Sequence, residues 1–407
     1  MDESVCMADY LAMRVPLLDL GDEYRALSEP IREAIDDVLA SHHFILGPKV
    51  RAFEKAIAAY CSVPHAVGVS SGTDALLAIL MALGIGPGDA VITTPYTFFA
   101  TAGCIARVGA RPVFADIDPE TYNISPSAID QCIQKYCKVD SNGTWRTKGG
   151  EKIRAIVPVH LFGLCCEMDA VREISKRFQL DLIEDASQAI GSEFPFGGGT
   201  AKAGTMGKVG FFSFYPSKNL GAAGDAGMIA CHDETLAAKL RTIREHGMEP
   251  RYFHHVIGGN FRLDEIQAAI LGVKLPFLEK WAAARRAAAE FYNAEFAHAG
   301  LTTKITPPAQ PYRDRGLTND HIYHQYVIRV PMRDVLRAHL CKSDIETAIY
   351  YPLGLHEQKC FAYLGYRKGD FPETERAARE TLALPIYPGI SREAQRYVVG
   401  AIANFYS

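Results

Sequence analysis

A strand that ends on a lysine constrains this chain more than any other feature. Gly210-Phe211-Phe212-Ser213-Phe214 is apolar and aromatic enough for a buried strand, and Pro216 stops it. Lys218 follows in a small Gly-rich turn that continues through Asn219, Leu220 and Gly221 to Gly224-Asp225-Ala226-Gly227. One ammonium group therefore stands at the end of a core strand with apolar walls. Desolvation there lowers a lysine pKa and gives access to the neutral, nucleophilic amine that forms Schiff bases. A lysine after a strand also serves as an ordinary surface charge, so neighbouring chemistry has to decide between the two.

Leu182-Ile183-Glu184-Asp185 reads as a second buried strand, this one ending in acids. A carboxylate in that position is expensive without a cation or hydrogen-bond donors. Asp185 either caps a turn or faces a buried cation. Upstream, the strand His65 to Val69 feeds Ser70-Ser71-Gly72-Thr73-Asp74 and a helix running to Leu83. Free N–H groups and the helix dipole make such a turn an anion site, and it serves equally as a plain N-cap. Phe98, between the strand Ala90 to Thr94 and the next helix, either packs in the core or offers a face to a planar ring. Asn260 reads as a loop residue ahead of the helical stretch that begins at Leu263.

The phrases Phe212-Ser213-Phe214-Tyr215-Pro216-Ser217-Lys218-Asn219 and Glu184-Asp185-Ala186-Ser187-Gln188 resemble the lysine and acid motifs of the DegT/DnrJ/EryC1/StrS family. Those are pyridoxal-phosphate sugar aminotransferases, and the likeness begins at Phe44-Ile45-Leu46-Gly47-Pro48 and runs to the C-terminus. The resemblance implies an α/β chain of PLP-dependent transferase fold type I. A large domain with a mostly parallel central sheet would be followed by a smaller C-terminal α+β domain. The expected division is an arm over 1–30, a PLP-binding domain over 31–279 and a small domain over 280–407.

It also implies pyridoxal 5'-phosphate as cofactor, with Lys218 as the imine-forming, proton-moving residue and Asp185 on the ring nitrogen. Gly72, Thr73 and Ser213 match the family's phosphate holders. Phe98 matches the aromatic that covers the ring, and Gln188 the partner of the ring 3-oxygen. Asn260 corresponds to a residue that reaches the neighbour's cofactor phosphate, which implies an isologous homodimer with shared active sites. The expected reaction moves an amino group from L-glutamate to a keto group on a nucleotide-linked sugar. The phrases Ile257-Gly258-Gly259-Asn260-Phe261-Arg262 and Tyr323-His324-Gln325-Tyr326 favour a 3-keto over a 4-keto acceptor and put His324 near the sugar.

The chain departs from its relatives in three places. Phe194 stands near a tyrosine proposed to face the sugar, Gly354 stands where proline is usual, and 137–151 is a polar insertion read as a surface loop. Phe194 to Gly207 reads as a flexible Gly-rich turn. Two other functions compete: the family's dehydratases, which replace the lysine with histidine, and a non-catalytic PLP-binding sensor of the same fold. Lys218 argues against the first, and the complete acid, lysine and phosphate set against the second.

Composition narrows the partners. Forty-three basic against forty-seven acidic side chains give a net charge of −4 over 407 residues, which offers no electrostatic case for nucleic acid or an anionic membrane. The ten cysteines lack metal or disulfide spacing, and His254-His255 has no accompanying ligand cluster, so no metal is expected. The longest apolar stretch, Ala75 to Ile85, is too short to span a bilayer, and Asp2 and Glu3 do not begin a signal peptide. A cytoplasmic enzyme is the expectation.

Overall fold

A computed structural model describes residues 13–141 and 143–407, so the first twelve residues of the expected arm lie outside the described residues. In chain order the strands are β1 (His65–Val69), β2 (Asp89–Thr93), β3 (Arg111–Phe114), β4 (Cys137–Val139), β5 (Trp145–Thr147), β6 (Lys152–Val157) and β7 (Asp181–Asp185). They continue as β8 (Glu193–Phe196), β9 (Gly199–Lys202), β10 (Val209–Ser213), β11 (Gly227–Cys231), β12 (Tyr326–Arg329) and β13 (Thr381–Leu384).

The central sheet runs β1-β11-β10-β7-β6-β2-β3. β11 pairs antiparallel with both neighbours, and the remaining pairs along this path are parallel. Parallel strands are covered on both faces and tolerate no alternation of polar residues. That explains the continuous apolar run of β10, where Val209 to Phe212 are all buried. In the β7–β10 register Asp185 faces Phe211, so the ends of both strands open at one edge of the sheet.

The first four helices are α1 (Gly21–Ser41), α2 (Pro48–Cys61), α3 (Gly72–Ala82) and α4 (Ala100–Arg107). α3 is buried on nearly every side, which its sequence of Ala, Leu and Ile permits. α1 runs unbroken through the expected boundary at residue 30, because Leu27, Ile31, Ala34 and Val38 form one buried stripe. Further along come α5 (Pro126–Tyr136), α6 (Met168–Arg177), α7 (Glu234–Arg244), α8 (Glu265–Lys274) and α9 (Leu278–His298). The break between α8 and α9 is a short 3-10 turn that contains Pro276.

α10 (Arg333–Lys342), α11 (Pro372–Glu380) and α12 (Arg392–Tyr406) belong to the C-terminal part, with the antiparallel β12–β13 ribbon. Tyr292, Tyr326, Leu336, Leu382 and Val398 share a core there, and Val15 enters the same core beside Ile345. The N-terminal segment thus ties into this smaller unit and does not hang free at Val15.

Two expectations of irregular structure are corrected. The insertion over 137–151 is a β-hairpin, β4 with β5, joined to β6 through Arg146 and Lys152. Trp145 anchors it edge-on against Phe178 at 4.9 Å. The segment from Phe194 is likewise a hairpin, β8 with β9, because its glycines supply the tight turn at Gly197 and Gly198, both at positive φ. Among the described residues no helix is long and apolar enough to cross a membrane.

Candidate active site

The turn after β10 is pinned at several points while the Lys218 amine is left unengaged. Lys218 N–H donates to the Tyr215 carbonyl at 2.8 Å, and Ala222 N–H closes the loop on Phe214 at 2.8 Å. Lys274, buried on α8, donates to the Gly221 carbonyl at 2.7 Å, and Asn219 Nδ2 donates to the Ile322 carbonyl at 3.1 Å. The Lys218 side chain is half-buried, and among the described residues its Nζ has no hydrogen bond or ion pair. Burial pulls its pKa down to about 8, against the opposing attraction of Asp185. A neutral amine is therefore accessible near physiological pH.

Two adjacent acids at the end of β7 have different fates. Glu184 is fully buried and accepts from the backbone N–H groups of Gly204, Met206 and Gly207. His160 completes its shell: the ring's Nδ1 accepts from Cys166 N–H, so Nε2–H donates to Glu184 at 2.9 Å. Glu184 is thus spent on the fold. Among the described residues the Asp185 carboxylate accepts from Thr101 Oγ1 at 2.8 Å and Ser187 N–H at 3.1 Å alone, which leaves lone pairs for a cationic partner.

A third group converges at the start of α3. Ser71 caps the helix by accepting from Asp74 N–H at 3.0 Å, and the first-turn amides of Gly72 and Thr73 have no helical acceptor. A Cβ at Gly72 would come within 2.8 Å of Ser213 Cβ and 3.3 Å of Ser187 Oγ. Two free amides, two hydroxyls and a helix N-terminus therefore meet in one concave spot, a donor set suited to a phosphate dianion. Among the described residues this cradle, Asp185 and Lys218 together fit pyridoxal phosphate: donors for the phosphate, a carboxylate for the ring nitrogen and an unengaged amine for the aldehyde.

Phe98 lies at the entrance, 57% exposed, with its ring 6.4 Å from that of Tyr351. Gln188 accepts from Phe162 N–H at 2.8 Å and donates to the Tyr351 hydroxyl at 3.2 Å. His324 is buried with Nδ1 3.1 Å from Asn219 Oδ1, beside the Lys218 turn. It lines a cavity of about 50 Å³ with Ser217, Gln325 and Tyr350. Two expected residues stand apart from this cluster. Phe194 is buried edge-on against Tyr312 at 5.0 Å, and Asn260 is exposed on the segment between α7 and α8.

Thr101, Ser187, Asn219 and Tyr351 were not singled out from the sequence. Ser187 and Asn219 sit inside the acid and lysine motifs, so a signal exists for those, whereas Thr101 is marked only by its place in the first turn of α4. Tyr351 is distant in sequence and had none.

The sequence model of the DegT/DnrJ/EryC1/StrS aminotransferase family matches residues 25–403. A protein of Geobacillus stearothermophilus named pleiotropic regulatory protein is 47% identical over 394 residues, covering 97% of this chain and 99% of its own. The UDP-N-acetyl-3-dehydro-alpha-D-glucosamine 3-aminotransferase of Acidithiobacillus ferrooxidans is 39% identical, covering 93% and 94%. The crystal structure of NtdA from Bacillus subtilis with bound cofactor PMP has a TM-score of 0.83 and 30% identity, covering 96% of this chain and 85% of that one. A lysine at the end of β10, an acid at the end of β7 and a helix N-terminus beside them are thus found in a chain that belongs to the DegT/DnrJ/EryC1/StrS aminotransferase family.

Proposed function

We propose that the protein is a pyridoxal-phosphate-dependent aminotransferase that moves an amino group from L-glutamate to the 3-keto group of a nucleotide-linked sugar. The observation that carries this reading is the unengaged, half-buried Lys218 amine beside Asp185 and the α3 cradle. The aminotransferase relative named for a 3-dehydro sugar supports the 3-keto position, and the neighbour with bound PMP supports the cofactor. When bound, the cofactor supplies a carbonyl that takes up the amino group and a ring that spreads the charge left on deprotonated carbon. Gly72, Thr73, Ser187 and Ser213 would hold its phosphate, Asp185 its ring nitrogen and Phe98 one face. Lys218 Nζ moves the proton to and from the donor's α-carbon and then the sugar carbon, which needs the neutral amine that burial favours.

A homodimer is part of the proposal. Tyr252, Phe253 and Ile257 are 73%, 65% and 88% exposed on the same segment as Asn260, and Phe44 and Ile45 add further apolar surface. Closing that surface against a second copy would bring Asn260 to the partner's phosphate site.

The second reading, a PLP-binding regulator, is favoured by the 47% identical relative, which is named a pleiotropic regulatory protein. Absorbance spectra of the PLP-loaded protein before and after L-glutamate separate the two. Loss of the yellow lysine-bound form on adding glutamate, followed by its return with a 3-keto sugar nucleotide, supports the aminotransferase. A yellow form indifferent to every amino donor supports the regulator.

A further inference from the structure

Arg285, on α9, is the largest of the fully buried side chains among the described residues, only 2% exposed. Its Nη1 lies 3.2 Å from the Tyr323 carbonyl, 3.4 Å from the His324 carbonyl and 3.0 Å from the Ile386 carbonyl. Its Nε has no partner among the described residues, and the carboxylate that acts on it, Glu23, is not in contact. Burial lowers the guanidinium pKa to about 10, which still leaves it charged. A buried cation held mainly by carbonyls is costly compared with an apolar side chain of similar volume. Packing alone does not account for it.

The segment it grips carries His324, and the state of that ring follows from its contacts. Asn219 Nδ2 is committed to the Ile322 carbonyl, so Asn219 presents Oδ1, an acceptor, to His324 Nδ1 at 3.1 Å. Nδ1 must then carry the proton, and Nε2 of the neutral ring is a bare lone pair. Two charged groups act on the ring, Lys218 after β10 and Arg285 on α9. Both reinforce burial in holding His324 well below its ordinary pKa. Gln325 and Tyr350, in the same cavity wall, add no charge at neutral pH.

We propose that Arg285 is a positioning residue that holds His324 as a neutral, Nδ1-protonated imidazole, leaving Nε2 as a hydrogen-bond acceptor for a hydroxyl of the sugar. The role of the hydroxyl rests on the aminotransferase reading, whereas the state of the ring does not. Arg285 thus acts on the acceptor half of the reaction through His324, without touching cofactor or donor.

The test is long-range 1H–15N spectroscopy of histidine-labelled, cofactor-free protein from about pH 5 to about pH 8. His324→Gln assigns the signal, and wild type is compared with Arg285→Gln and Arg285→Lys. Wild type should show one neutral tautomer, with the proton on Nδ1, throughout. Arg285→Gln should raise the His324 pKa, because it removes one of the two charges that add to burial in opposing protonation, so that protonation begins at the acid end of the range. Arg285→Lys keeps the charge, but its side chain ends short of the Arg285 Nη1 position, so its grip on the Tyr323 and His324 carbonyls slackens and the ring should stay neutral with both tautomers populated. A wild-type ring that is charged at neutral pH or protonated on Nε2 overturns the proposal, as does an unchanged His324 in Arg285→Gln. If that variant does not fold, Arg285→Lys decides: mixed tautomers support the proposal and the single wild-type tautomer sinks it. In stopped-flow absorbance, Arg285→Gln should keep the glutamate step within about twofold while the sugar step gains an acid limb and falls about tenfold below it. Absence of the glutamate step in wild type counts against the aminotransferase reading and leaves the spectroscopic answer on Arg285 standing.

Discussion

Thr101 Oγ1 donates to Asp185 Oδ2 at 2.8 Å, linking the first turn of α4 to the end of β7. Both residues are buried, and among the described residues this hydroxyl is one of two hydrogen-bond donors to the carboxylate. Thr101→Val keeps the shape and removes the donor. An unsatisfied buried acceptor costs about 1–3 kcal/mol, and the Asp185 carboxylate should be held less firmly in place. Pyridoxal phosphate affinity should fall about tenfold, read by fluorescence titration. Unchanged affinity together with unchanged thermal stability would remove Thr101 from the site.

Lys218 contributes to stability in a pH-dependent way. Its folded pKa, about 8, lies below the ordinary 10.5, so between these values the unfolded chain binds more protons. Stability of the cofactor-free protein therefore rises with pH through this window, and below it the buried ammonium is a burden of up to about 3 kcal/mol. Lys218→Met should be more stable than wild type in urea at neutral pH, with the difference shrinking as pH approaches 10.5. The same variant should bind no yellow, lysine-linked cofactor and complete no turnover. Equal stability of the two proteins at both ends of the window would mean that Lys218 is solvated as an ordinary surface lysine.

Gly72 is required by proximity. A methyl at this position would press on Ser213 at 2.8 Å and narrow the space between the α3 amides and the two serine hydroxyls. Helix propensity favours alanine here, so Gly72→Ala should keep its fold. The loss should appear in phosphate recognition: about tenfold or more in affinity for pyridoxal phosphate, and little for pyridoxal, which lacks the phosphate. Equal losses for both ligands would place the defect elsewhere.

The sequence made the strand-ending residues legible because chemistry and burial coincide there. A charged residue at the end of an apolar run stands out in both Leu182 to Asp185 and Gly210 to Lys218. It did not distinguish Glu184 from Asp185 by local pattern, since what separates them is that backbone donors from 204–207 and His160 surround only the first. Composition also misled at 137–151 and after Phe194. Polar and glycine-rich residues suggested loops, yet cross-strand pairing and one aromatic anchor, Trp145 on Phe178, were enough for hairpins. Tyr351 was invisible because its place beside Phe98 and Gln188 is set by the packing of the smaller unit against the larger. The grip of Arg285 on three carbonyls was hidden for the same reason.

Asn260 and Lys218 test the dimer directly. Within one chain Asn260 is exposed and makes no side-chain hydrogen bond among the described residues, so loss of its amide should leave the fold of that chain intact. If its partner is the phosphate of a second subunit, Asn260→Ala and Lys218→Ala each abolish function but damage different halves of every shared site. A mixed dimer then contains one site with both defects and one with neither. Co-refolding equal amounts of the two inactive variants should restore about a quarter of wild-type activity, since half of the dimers are mixed and each has one intact site. Sedimentation confirms that the species measured is a dimer. No recovery from a verified mixed dimer would mean that Asn260 serves its own subunit or none, and the exposed apolar segment from Tyr252 to Ile257 would need a different explanation.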